Sequence, residues 1–135
     1  MSGRPSSSQR PDRGSASVMM LFYVIIAIAA AAMIFDGGTY LLADRYASNT
    51  AEGAARAAVA TGSPSEGLSE VEARAAAVDH AVRLGISAAD VRVEFPARDV
   101  VVVSVTERRN AVFVRFTGTA TLAVEATGRA RLEFS

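Results

Sequence analysis

Residues 18–35 read VMMLFYVIIAIAAAAMIF. They form the heart of a longer run, 14–35, that holds no charged side chain. An α-helix rises about 1.5 Å per residue, so ~20 such residues cross the ~30 Å hydrocarbon core of a bilayer. The strong hydrophobes of this run are Val18, Leu21, Phe22, Val24, Ile25, Ile26, Ile28, Ile34 and Phe35. Together they supply on the order of −4 kcal/mol toward insertion. The reading is a transmembrane helix over 15–35.

Working outward toward the N-terminus, residues 1–14 read MSGRPSSSQRPDRG. Arg4, Arg10 and Arg13 stand against Asp12 in a Ser-, Pro- and Gly-rich tail, which reads as disordered. On the other flank Asp36 and Asp44 precede the first arginine, Arg45. The excess of positive charge before the span places the N-terminus in the cytoplasm and the C-terminal portion outside. A cleaved signal peptide is the rival reading. In that case 18–28 is its apolar region, and cleavage falls at Ala27-Ile28-Ala29 or Ala30-Ala31-Ala32, releasing a secreted or surface protein. The apolar run continues through Met33-Ile34-Phe35, which favours a retained anchor.

Asp36-Gly37-Gly38 interrupts the hydrophobic run. Adjacent glycines weaken a helix by about 1 kcal/mol each relative to alanine. They read as a hinge, as a place of close helix approach, or as a plain join between two helices. Residues 36–60 then read as a stalk helix. Asp44, Ser48, Glu52 and Arg56 share one stripe, and Glu52 before Arg56 is the favoured order for a helical ion pair. The remaining surface is mostly alanine. It suits packing in a bundle of protomers, or against the chain's own domain; both readings stand at this point.

Residues 61–67, TGSPSEG, read as a linker, and 68–135 as an extracytoplasmic α+β domain. Residues 68–84 predict a helix with Leu68, Val71, Ala75, Val78 and Val82 as its buried stripe. Ser69 and Glu72 form a capping-box pattern, and Gly85 is placed to end the helix. Residues 91–95 and 99–106 predict a hairpin across Pro96–Asp99. Residues 111–116, AVFVRF, fit a strand or, preferably, a short helix. From 120 to 134 every even position is apolar or small, which predicts one long strand with its odd face in water, bent at Gly128. The expected fold class is α+β: a transmembrane helix continuing outward, then a small helix and an antiparallel sheet of about three strands.

Composition narrows the function. The 135 residues carry 14 basic and 14 acidic side chains, and all the basic ones are arginine. A net charge of zero argues against nucleic-acid binding. Zero cysteines remove disulfides, thiolate metal sites and cysteine nucleophiles. A single histidine, His80, has no second histidine to complete a metal site or triad, and reads as an ordinary surface residue. Arg108-Arg109 reads as a solvated pair, and no glycine loop with a lysine cradles phosphate. No catalytic residue, metal, cofactor or small-molecule substrate is expected; the chain reads as a non-enzyme.

Three motifs carry a resemblance. Arg13-Gly14-Ser15-Ala16-Ser17-Val18 is similar to an RGS-x-x-V start, Asp36-Gly37-Gly38 to a DGG at the outer end of the span, and residues 48–58, SNTAEGAARAA, to a QNAAD/E-x-AAR-A-A helix. The chain thus resembles the TadE/TadG-like proteins of the Tad (tight adherence, Flp-pilus) system, and its end, ATGRARLE, is similar in flavour. The resemblance implies a minor pilin- or pseudopilin-like protein: a membrane helix, an external α+β domain, and a part in assembling a pilus or secretion system. Implied partners are the lipid bilayer, other pilin-like or Tad assembly proteins, and a prepilin peptidase that would cut between Gly14 and Ser15. The chain departs from pilin-type substrates at Met19, where they usually carry a glutamate that pairs with a neighbour's N-terminus. That counts against processing and against fibre entry by such pairing. The alternative is a secreted or anchored cell-envelope binding module unrelated to pili.

Overall fold

A computed structural model describes residues 13–63, 65–111, 118 and 121–133. The order of elements is α1 (Arg13–Val59), α2 (Glu70–Arg83), a short 3-10 turn (Ala88–Asp90), β1 (Val91–Ala97), β2 (Val100–Asn110) and β3 (Thr121–Arg131). The three strands form an antiparallel sheet in the order β1-β2-β3. The fold is therefore α+β, with an apolar N-terminal helix, a second small helix and a three-stranded sheet, as the sequence predicts. The tail 1–12, the segment 112–117, and Thr119, Ala120 and Phe134 lie outside the described residues, and with them most of the expected short helix at 111–116.

α1 runs unbroken for 47 residues, a length of about 70 Å. Gly37 and Gly38 lie within it and do not interrupt it. Two glycines cost a helix only about 2 kcal/mol together, and good formers on both sides carry the helix across them.

The core lies on the C-terminal half of this helix. Ala43, Ala47, Ala51, Ala54, Ala55 and Ala58 are fully buried, and Ala51, Ala54, Ala55 and Ala58 cluster with Val101, Val103 and Val105 of the sheet and Ala73, Ala77 and Ala81 of α2. The segment expected as a stalk is thus the spine of the head. Its alanine face, one of whose two readings was a bundle of protomers, is taken up by the chain's own sheet and second helix. A face of methyl groups lets backbones come close, and the closest approach is at Gly128 of β3. A Cβ there would lie 2.3 Å from the Ala51 carbonyl carbon. Gly128 serves this contact.

α2 buries a different stripe from the one predicted. Ala73, Ala77 and Ala81 face the core, whereas Val71 is 79% and Val82 47% exposed and Ala75 is also exposed. Leu68 and Val78 are only half-buried. The reason is the close spacing of the helices: only the alanine stripe matches the small residues of α1. Ser69 does occupy the N-cap position, but its side chain makes no capping bond, so the expected capping box does not form. Gly85 ends the helix with φ +87°. Ile86 N–H donates to the Ala81 carbonyl at 3.1 Å and Gly85 N–H to the Val82 carbonyl at 2.9 Å, a Schellman ending.

The hairpin is longer than predicted. β2 continues through Glu107, Arg108, Arg109 and Asn110, because these pair with Val124, Ala123, Leu122 and Thr121 of β3. β1 extends to Ala97 through an irregularity between Glu94 and Ala97; Pro96, which has no N–H, is tolerated there on an edge strand. Along β3 the even positions Val124, Ala126, Gly128 and Leu132 are buried and the odd positions exposed, the alternation the sequence predicts.

Candidate assembly surfaces

The expected functional residues are strung along α1 and do not converge. Gly14 and Ser15 fall in its first turn, and Met19 follows four residues after Ser15. Asp36, Gly37 and Gly38 lie midway. Apart from the helix's own neighbouring backbone, no atom of the described residues comes within 4 Å of a Cβ built on either glycine, so none of them packs there. Glu52 and Arg56 form the expected ion pair at 3.3 Å, with both side chains well exposed. Such a pair contributes a few tenths of a kcal/mol.

His80 is half-buried against α1, where Gly53 leaves it room: a Cβ on Gly53 would lie 2.5 Å from its Nε2. Sequence reading missed this contact, as the only clue is a glycine inside an alanine-rich helix. Nearby, the Tyr46 hydroxyl donates to the Leu84 carbonyl, and the Arg109 guanidinium lies 5.6 Å from the Tyr46 ring centre. Arg109 also pairs with Glu107 at 2.7 Å. Arg74 stacks at 5.3 Å over Phe95 and donates to the Val93 carbonyl at 2.9 Å. These arginines tie elements of the head together.

Two ion pairs form on the open face of the sheet. Arg131 Nε donates to Asp99 at 2.5 Å, fastening the end of β3 to the β1–β2 turn. That hydrogen bond holds the Asp99 carboxyl below its ordinary value; partial burial opposes the shift, and the charges of Arg131 and Arg129 add to it. Arg108 pairs with Asp90 at 2.9 Å, and this bond and charge raise its own pKa. A shallow polar hollow of about 300 Å³ lies over these residues, lined by Asp90, Arg92, Ser104, Thr106, Arg108 and Glu125. Arg108 is already engaged by Asp90 there. Among the described residues no group of three histidine or carboxylate side chains could hold a metal ion.

What the arrangement offers is a long exposed apolar helix. Among the described residues one helix is long and apolar enough to cross a membrane, and none of its apolar window is buried by the others. Residues 14–61 match the TadE/G-like Flp pilus-assembly family. The chain carries a TadE/G-like N-terminal region. The matched residues take in the whole apolar stretch, Asp36-Gly37-Gly38, the helix that forms the spine of the head and the turn that ends it. Within the TadE/G-like region lie all of the residues singled out above for processing, hinging and packing. The strands and α2 lie beyond the match. No curated protein and no solved structure matches the chain.

Proposed function

We propose that this chain is a membrane-anchored component of a Tad-type pilus or secretion assembly, minor pilin- or pseudopilin-like, that acts through protein contacts and not through catalysis. In this reading residues 15–35 span the cytoplasmic membrane, the N-terminus lies inside, and the α+β head is displayed outside. The observation that carries the reading is the coincidence of two boundaries. The family match begins and ends with the single helix that joins the apolar span to the core of the head. The region that resembles known pilus-assembly proteins is therefore the region that would both anchor and orient this one. Gly37 and Gly38, both exposed and with open space where a Cβ would stand, are the favoured place for another helix of the assembly. A prepilin peptidase acting between Gly14 and Ser15 is a further proposed partner, weakened by Met19.

The test is a deletion in the producing organism combined with topology fusions. Loss of surface pili or of adherence, restored by the full chain, is the expected outcome. A C-terminal alkaline phosphatase fusion should be active and a C-terminal fluorescent fusion dark. Full-length protein released by carbonate extraction, or unaltered piliation in the deletion strain, would overturn the proposal.

A further inference from the structure

The apolar surface of α1 does not end at the same height all round the helix. Successive residues turn about 100°, so Asp36 and Tyr40 lie on the side that buries Ala43, Ala47, Ala54 and Ala58 against the sheet. On this head side the charge of Asp36 interrupts the apolar surface, and beyond it Tyr40, with its phenolic hydroxyl, is the next exposed large side chain. On the opposite side the order is Ile34, Gly38, Leu41, Leu42, and the first charge is Arg45. Leu41 is 60% and Leu42 70% exposed. Measured from Val18, the apolar surface is about 26 Å long on the head side and about 36 Å on the far side. The mean of the two lies close to the ~30 Å of a bilayer core.

Resting on the anchor reading above, we infer that Leu41 and Leu42 lie in the outer-leaflet interface, and that α1 leaves the bilayer tilted with the head on its upper side. An oblique apolar border on a straight helix meets a flat lipid surface only when the helix leans toward its longer apolar side. Tilts of 0–40° are usual for single spans. Side chains of a helix slope back toward its N-terminus, which carries Leu41 and Leu42 toward the lipid and lets Arg45 reach headgroups from above. The occupant is lipid because these two leucines continue the lipid-facing surface of the span without an intervening charge.

The chain has no cysteine, so single-cysteine variants can be labelled directly. Ile26→Cys, Tyr40→Cys and Leu42→Cys, all at exposed positions, would carry an environment-sensitive fluorophore in the full-length protein. The protein would be reconstituted in phosphatidylcholine/phosphatidylglycerol vesicles. Quenching by nitroxide-bearing lipid reports immersion, and quenching by aqueous iodide reports exposure to water. The expected result is an inverted order. The Leu42 probe is quenched by lipid about twofold more than the Tyr40 probe, although Tyr40 is closer to the span along the chain. Equal or stronger lipid quenching at Tyr40 would overturn the inference. So would a Leu42 probe shielded from both quenchers, which would mean that another protein covers it. Loss of lipid quenching at Ile26 would defeat the anchor reading itself. Ile26 in lipid with Leu42 in water would defeat the tilt alone.

Discussion

At the scale of single residues, glycines of the same type do opposite work. Gly128 admits the backbone of Ala51, and a methyl group placed there would overlap it. Gly128→Ala should lower stability by about 1–3 kcal/mol or more, read as a fall in the denaturant midpoint of the detergent-solubilised protein. Gly37→Ala meets open space inside a helix and should raise stability by about 0.5–1 kcal/mol. If another helix of the assembly packs there, the same variant should lose assembly while gaining thermal stability. In the sequence Gly128 reads only as the bend of a strand. What it needs is a neighbour 77 positions away, and no local pattern encodes that. The Asp99–Arg131 pair belongs to this scale as well. Its folded-state pKa lies below the ordinary 3.8, so the unfolded chain takes up the proton first on acidification. The contribution of the pair is present above that ordinary value and is lost as pH falls through the lower folded value. A melting-temperature profile from about pH 5 to about pH 2.5 should therefore drop less steeply for Arg131→Gln than for the parent chain.

Among the elements, strands were more legible than helices. The parity of residues 120–134 and of Val101, Val103 and Val105 follows from the two-residue repeat of a strand, and one face had to be buried. The α2 stripe was misread because valine outranks alanine in apolar character, while the spacing of α1 and α2 is set by size. Where two alanine faces meet, a valine does not fit. The consequence is measurable in the folded head. Ala77→Leu should cost about 1–3 kcal/mol by overpacking. Val71→Glu, on the exposed side, should change stability by no more than about 0.5 kcal/mol. The ends of β2 were hidden for a related reason: Glu107 to Asn110 look like a polar loop, and only their pairing with β3 makes them strand.

On the scale of the whole molecule, the span and the resemblance to pilus-assembly proteins were legible because both rest on contiguous residues. The division of α1 between an exposed apolar half and a half packed in the head was not, since the alanines that fill the core look the same as alanines that would pair protomers. Removing residues 43–59 should therefore unfold the head and not merely shorten a tether, a prediction checked by protease resistance of a chain lacking them. The unbroken passage of α1 through Gly37 and Gly38 also sets what the anchor can transmit. On the anchor reading proposed above, no break in the helix lies between lipid and sheet, so the direction of the span and that of the head are set by one element. If that proposal holds, a neighbour that grips the span would also steer the head, like a rudder on its post.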